Sequence, residues 1–160
     1  MYINGKTLLS YAPIKDMLIT KETNGIVSHG LSELGYDIRI AEDLFFDPIL
    51  NGIRRNEEFH KGRFVLASSI EYFQIPSFLG GEVKDKSSWA RKDVQVYNTV
   101  LEPGWKGYLT LEINFHGNKS VYIPAGSGIA QVLFMKTAED AFYEGKYQEQ
   151  EAGPQESRNG

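Results

Sequence analysis

Alternation of apolar and polar positions is the dominant pattern of the chain, and it predicts β-strands over most of its length. The alternation is clear over residues 36–40, and again over residues 108–115, where the leucine and isoleucine side chains share one face. Further strands are predicted at residues 63–67, 71–75, 94–96, 120–123 and 129–134. Strands of about five residues at about ten-residue spacing are typical of an all-β sandwich, jelly roll or barrel.

The remaining segments are predicted to be helix, loop or turn. Residues 6–20 carry apolar positions interrupted by Pro13, which indicates a short N-terminal helix or two turns. Residues 21–35 are rich in Gly, Ser and Asn and are predicted to form a loop. Turn signals also predict turns and loops over residues 43–62 and a turn at Gly80-Gly81.

A chain of 160 residues without internal repeats or a linker favours one domain with a sizeable core. We assign residues 1–144 to this domain. Residues 145–160 are polar and aperiodic, and alone they are predicted to be disordered.

Composition narrows the possible functions. The net charge is −4 and no basic block occurs, which argues against a nucleic-acid partner. The chain has no cysteine, and its three histidines are scattered, so zinc sites and the zinc-dependent nucleobase deaminases are excluded. Its apolar runs are shorter than the roughly 18 residues of a membrane span, and the N-terminus has no signal pattern. We therefore expect a cytoplasmic protein without a membrane partner.

Candidate chemistry concentrates in residues 85–114. Lys86, Ser87 and Ser88 combine a cation, two hydroxyls and backbone N–H groups, which suit phosphate oxygens, although an exposed polar turn is the alternative. Arg91 follows, and its guanidinium could pair with a core carboxylate or make a forked contact to a substrate.

Glu112 lies in the middle of a predicted strand, on the face opposite Leu111 and Ile113. A glutamate there is unfavourable unless that face of the sheet is exposed to solvent or the carboxylate is paired with a cation or a hydrogen-bond donor. Either the face is exposed, or the carboxylate points into a pocket, where partial burial would raise its pKa and let it accept a proton.

Glu102-Pro-Gly-Trp105 predicts a type II-like turn followed by a large aromatic residue. Trp105 can anchor the core or form the floor of a sugar or base site. Tyr147 lies in the polar tail without apolar neighbours, so it is either solvated or the tail docks on a surface.

Five blocks between about Gly25 and Gln150 resemble motifs of the dCTP deaminase and trimeric dUTPase superfamily. In chain order they are SHGLSELGYDIRI, DKSSWAR, NTVLEPGWKG, GIAQVLF and GKYQEQ. Within the superfamily the chain is more similar to the dCTP deaminases, because TLEIN supplies their strand glutamate as Glu112 and DKSSWAR supplies their arginine as Arg91. The Asp-Tyr and terminal Gly-rich sequences of dUTPases are absent.

The resemblance implies a dUTPase-like jelly roll or distorted barrel that assembles as a homotrimer with active sites between subunits. It implies that Glu112 takes a proton from a water held near the Val100 carbonyl and the Ser87 hydroxyl, so that hydroxide attacks C4 of cytosine, while Arg91 stabilises the site. It also implies a magnesium ion bound through the triphosphate. The remaining nucleotide-binding residues implied are Lys86, Ser88, Thr99, Val100, Glu102, Trp105, Gln131, Lys146, Tyr147 and Gln150.

Departures from the family pattern keep other functions open. Thr99-Val100 stands where Thr-Ala or Thr-Pro is common, Glu102 replaces an aspartate, and Asp93 replaces a frequent glycine. A dUTP diphosphatase, a bifunctional enzyme and a preference for a modified cytosine nucleotide are alternatives. A non-catalytic relative that binds a nucleotide or a protein is a further one.

Overall fold

The computed structural model describes residues 1–23 and 27–159, and most of its regular structure is β-strand. The helices are α1 (Gly5–Tyr11) and α2 (Ser87–Ala90). The strands are β1 (Tyr2–Ile3), β2 (Lys21–Glu22), β3 (His29–Leu31), β4 (Tyr36–Arg39), β5 (Leu44–Asp47), β6 (Gly52–Arg55), β7 (Glu58–Lys61), β8 (Phe64–Gln74), β9 (Leu79–Asp85), β10 (Val94–Val96), β11 (Val100–Leu101), β12 (Lys106–Phe115), β13 (Val121–Ile123) and β14 (Gly128–Lys136).

These strands form three antiparallel sheets. The largest has the order β11-β9-β14-β4-β3-β2, with β1 also paired to β14. The second has the order β10-β12-β8, and the third β13-β5-β6-β7. The result is the predicted all-β, jelly-roll-like architecture with a short N-terminal helix.

One apolar core lies between the sheets. Fully buried Phe46 of the third sheet stacks on Phe115 of the second, with ring centroids 5.0 Å apart. Phe134 and Ile38 of the largest sheet are also fully buried in this core. Burial of side chains this large supplies about 2–3 kcal/mol each, so sheet packing holds the domain together.

The two strands predicted between residues 63 and 76 are one long strand, β8, with an irregularity in its middle. The register against β12 shifts between Tyr108 and Thr110, opposite Ser68 to Tyr72. The Ser69 hydroxyl accepts a hydrogen bond from Leu109 N (2.9 Å) and donates one to Glu71 O (2.8 Å). These bonds satisfy the bulged backbone, so the serines bend the strand without ending it.

Three predicted loops or turns contain strands. Residues 43–62 form β5, β6 and β7, because Pro48 lies in the turn after β5 and Gly52 is itself the first residue of β6. Gly80-Gly81 lies within β9, where a Cβ on Gly81 would approach the Leu101 side chain to 3.3 Å. The predicted loop 21–35 contains β2 and β3, while its residues 24–26 lie outside the described residues.

The polar tail packs against its own domain, instead of forming the disordered segment predicted for it alone. Tyr108 N donates to Gln150 O (3.0 Å), and Lys106 O accepts from Glu149 N (3.0 Å). Residues 149–150 of the tail therefore lie alongside the first residues of β12. Neither helix in the described part of the chain is long and apolar enough to cross a membrane.

Candidate active site

A cleft of about 590 Å³ lies beside the outward face of β8 and β12. The segment between β10 and β11 forms a second wall, and the tail forms a third. Its volume is in the range of small-molecule sites. The lining residues that the sequence predicted are Thr99, Val100, Glu102, Trp105, Glu112, Tyr147 and Gln150.

Glu112 reaches this cleft because of the alternation along β12. Leu111 and Ile113 are fully buried, as predicted, whereas Glu112 is half-buried on the opposite face. Leu66 of β8 lies directly across from Glu112 in the sheet. The carboxylate thus stands on a partly apolar surface that opens to the cleft, an arrangement suited to moving a proton.

The turn after β11 brings Trp105 to the cleft. Trp105 N donates to Glu102 O (3.1 Å), and Gly104 has a φ of 77°, which together confirm the predicted type II-like turn. The Trp105 indole is buried and packs near Phe73, with centroids 5.8 Å apart, and its Nε1 donates to Tyr147 O (2.8 Å). Trp105 therefore anchors the core and lines the cleft at once.

Tail residues close the cleft from one side. Gln150 is buried, and its Nε2 donates to Tyr108 O (2.9 Å). Tyr147 lines the cleft, and the Lys146 ammonium lies 5.7 Å from its ring centroid. Because Gln150 binds the backbone of β12, its amide holds the tail beside the strand that carries Glu112.

A second group of predicted residues gathers around buried Asp37. The Lys86 ammonium donates to one Asp37 oxygen (2.6 Å), and Gln131 Nε2 donates to the other (3.1 Å). Gln131 also donates to the Ser32 hydroxyl (2.9 Å). Asp37 thus positions a lysine and an amide side by side at the edge of β14.

The serines and Arg91 lie on and beside the short helix α2, next to this group. Ser87, Ser88 and Arg91 are exposed. Buried Trp89 fixes the helix on β14, because its Nε1 donates to Gly128 O (2.7 Å). The hydroxyls and the guanidinium are therefore presented outward from a rigid base.

The two groups do not share a cleft within one chain. The cleft lining, taken over the residues that the structure describes, includes none of Lys86, Ser87, Ser88, Arg91, Gln131 and Lys146. The chain thus carries Glu112 with the Glu102–Trp105 turn in one place, and Lys86 and Arg91 in another.

Asp37 and Arg39 share a face of β4, and each has a charged partner. Glu71 is buried and accepts from both Arg39 N (2.7 Å) and Arg39 Nε (3.1 Å). Burial raises the pKa of the Glu71 carboxyl, and the hydrogen bonds from Arg39 oppose that rise.

The cleft also contains residues that the sequence did not reveal. These are Phe64, Leu66, Val83, Asn98, Leu101, Leu109, Thr110, Tyr143, Gln155, Glu156 and Ser157. Thr110 could have been found, because it shares the strand face of Glu112. Phe64 and Leu66 could not, because only the pairing of β8 with β12 brings them there.

Comparison with known proteins identifies the family. Residues 38–137 match the family model described as dCTP deaminase-like. The chain belongs to this family. It is 35% identical over 161 residues to a dCTP deaminase of Roseiflexus castenholzii, with 88% of each chain covered. It is also 38% identical over 147 residues to a dCTP deaminase of Herpetosiphon aurantiacus, covering 79% of this chain and 80% of the relative.

Solved structures of the dCTP deaminase-like family and of dUTPases share the fold. The dCTP deaminase of Agrobacterium tumefaciens superposes with a TM-score of 0.54 at 16% identity, covering 79% of this chain and 44% of the other. The native EIAV dUTPase superposes with a TM-score of 0.51 at 16% identity, covering 84% and 93%. The predicted dUTPase-like fold is thereby confirmed.

Proposed function

We propose that this chain is a dCTP deaminase, which hydrolyses dCTP to dUTP and ammonia and so supplies dUTP in pyrimidine deoxynucleotide metabolism. The observation that carries the proposal is Glu112, a half-buried carboxylate on the cleft-facing side of β12. Relatives named dCTP deaminase that are 32–38% identical over most of the chain support the choice of substrate.

Glu112 acts as the proton shuttle. It takes a proton from water and passes it to N3 of the ring, while the resulting hydroxide attacks C4 of cytosine. The proton of the new C4 hydroxyl then moves through Glu112 to the amino group, so that the C–N bond breaks, ammonia leaves and C4 becomes a carbonyl. One water is consumed, and one carbonyl and one ammonia are formed. Leu66, directly opposite Glu112 in the sheet, gives the carboxylate a partly apolar neighbour on the cleft wall.

The complete site forms between subunits of a homotrimer. This assembly is supported by the separation of the two residue groups within one chain. A neighbouring subunit supplies the Ser87 hydroxyl, which helps to hold the water together with the Val100 carbonyl. It also supplies the Arg91 guanidinium, which stabilises the negative charge that develops on the base.

The triphosphate is bound by the cationic group, and the deoxyribose by the turn. Ser88, Lys86 and Gln131 donate to phosphate oxygens, since Asp37 already aligns the last two. Trp105 sterically excludes a hydroxyl at the 2′ position of the sugar. Glu102 and Thr99 line the sugar site beside it. Lys146, Tyr147 and Gln150 of the tail cover the nucleotide.

Magnesium accompanies the nucleotide and is held by its phosphate oxygens. The described residues contain no group of three or more His, Cys, Asp or Glu side chains that could hold a metal ion. When bound, the cation neutralises phosphate charge. The Lys86 and Lys146 ammonium groups supply the remaining positive charge.

A dUTP diphosphatase is the second candidate, because solved dUTPases share this fold. Incubation of the protein with dCTP or with dUTP, each with magnesium, separates the two. Release of ammonia from dCTP without pyrophosphate supports the deaminase. Release of pyrophosphate from dUTP without release of ammonia from dCTP would overturn the deaminase proposal, and release of both products would indicate a bifunctional enzyme.

Light scattering tests the proposed homotrimer. A monomer in solution would overturn the proposal that the site is shared between subunits.

A further inference from the structure

We infer that Asn98 is a positioning residue for Glu112, because its side-chain amide fixes the backbone on which Glu112 stands. Asn98 Oδ1 accepts a hydrogen bond from Glu112 N (2.8 Å), and Asn98 Nδ2 donates to Thr110 O (2.7 Å). The inference rests on the proposed function, in which Glu112 moves the proton.

Asn98 occupies the point where the two partner strands separate. The paired register of β10 with β12 ends at Val96 opposite Ile113, and one further backbone bond runs from Tyr97 N to Glu112 O (2.8 Å). The chain then leaves for β11, which pairs with β9 in the largest sheet. Without another hydrogen-bonding group in place of β10, the backbone groups on this edge of β12 would be unpaired from Glu112 N toward the start of the strand.

The Asn98 amide imitates the missing strand. An amide group carries one acceptor and one donor side, like the peptide groups of a neighbouring strand, and it binds the next N–H and C=O on the same edge of β12. Both partners flank Leu111, so the bonds fix the backbone on each side of the residue before Glu112. A half-buried position at the cleft wall protects these bonds from exchange with water.

The same edge is covered further along by amides of the tail. Gln150 Nε2 donates to Tyr108 O (2.9 Å), and Gln148 Oε1 accepts from Lys106 N (2.7 Å). These contacts depend on the tail being docked, whereas Asn98 precedes β12 in the same hairpin and holds it independently. Of the three side-chain amides, Asn98, Gln148 and Gln150, Asn98 therefore binds closest to Glu112 along β12, and its hydrogen bonds do not depend on the docking of the tail.

Removal of the amide should lower turnover without weakening nucleotide binding. In Asn98→Ala we expect kcat for ammonia release to fall about 10- to 100-fold, because small misplacements of a catalytic group have effects of that size. The KM for dCTP should change by less than about twofold. Asn118→Ala, at an exposed position, is the matched control and should retain wild-type kinetics.

Hydrogen exchange of the Glu112 amide tests the contact without any use of activity. Exchange in Asn98→Ala should be at least about tenfold faster than in the wild-type protein. Asn98→Asp keeps the acceptor for Glu112 N and loses the donor for Thr110 O, so its exchange should stay within about threefold of wild type while kcat still falls.

Each result decides the inference. Unchanged exchange in Asn98→Ala overturns it, as does a raised KM with kcat retained. If Asn98→Ala does not fold, Asn98→Asp decides through the same comparison of kcat with KM. If the wild-type protein releases no ammonia, the proposed function fails, and the exchange measurement alone then decides whether Asn98 holds Glu112.

Discussion

Glu112 and Glu71 are two carboxylates in different surroundings, and each supports a prediction about a single side chain. Glu112 is half-buried and faces the cleft, whereas Glu71 is buried and bonded to Arg39. We propose that the first exchanges protons with a substrate and that the second affects the stability of the fold.

Replacement of Glu112 by glutamine should abolish deamination and spare binding. Glutamine keeps the size of the side chain and removes its ability to accept a proton, so we expect ammonia release to fall at least about 100-fold. The dissociation constant for dCTP, measured by calorimetry, should stay near the wild-type value. Exposed Glu139→Gln serves as control. Loss of binding together with turnover would assign Glu112 a structural role.

Replacement of Glu71 by glutamine should change the pH dependence of stability. Because burial raises the Glu71 pKa in the folded state, the wild-type protein loses stability as the pH rises from about 4.3 through the raised pKa. Each unit of that rise corresponds to about 1.4 kcal/mol. Urea unfolding at pH 4, 6 and 8 should show this loss, and Glu71→Gln should lack it. Parallel pH profiles for the two proteins would contradict the assignment.

At the scale of elements, the turn between β11 and β12 determines where the tail lies. Gly104 has a positive φ, and a Cβ there would approach Phe142 Cα to 2.9 Å. Gly62 also has a positive φ, yet a Cβ there would meet no atom within 4 Å. A comparison of the two glycines therefore separates the effect of backbone strain from that of contact with Phe142 and Tyr143, which lead into the tail.

Gly104→Ala should therefore displace the tail, and Gly62→Ala should not. Both substitutions incur the strain of a left-handed alanine, about 1–2 kcal/mol in the free energy of unfolding. Only the alanine at position 104 also collides with the backbone of Phe142 and Tyr143, the residues that lead into the tail. Limited proteolysis should cut residues 143–150 faster in Gly104→Ala than in Gly62→Ala. Equal cleavage of the two variants would show that the turn does not hold the tail.

At the scale of the whole molecule, the tail lies against a domain that contains the three sheets. The core residues belong to the domain before Glu144, whereas the tail contributes Gln150 as its buried residue and covers Trp105. We predict that the domain of residues 1–144 folds without the tail.

Deletion of residues 145–160 should leave a folded β domain with little activity. We expect circular dichroism of the sheets to persist, while Trp105 fluorescence shifts to the red as its indole meets water. The free energy of unfolding should fall by about 1–3 kcal/mol, since the Trp105 indole and β12 lose their hydrogen bonds to the tail. An unfolded product would refute the division into a domain and a tail.

Much of this architecture could be predicted from local patterns. Alternation located β4, β10, β12, β13 and β14, and the Glu102–Trp105 turn was predicted from its Pro-Gly sequence. Strands β5, β6 and β7 of the third sheet were missed, because each has four residues and two of the turn-signal residues, Asp47 and Gly52, lie inside β5 and β6. Glu112 and Trp105 line the same cleft, since Trp105 immediately precedes the strand that carries Glu112.

Alternation and turn chemistry act over a few residues, so the chain alone specifies its strands, its turns and the outward face that carries Glu112. Long-range pairing decides the rest. It sets Leu66 opposite Glu112, docks the tail on β12, and turns Asn98 into a substitute strand where β10 ends. It also keeps the cationic residues around Asp37 apart from the cleft, because β14 and β12 belong to different sheets. Which strand edges meet depends on the burial of the whole core, and no local pattern carries that information.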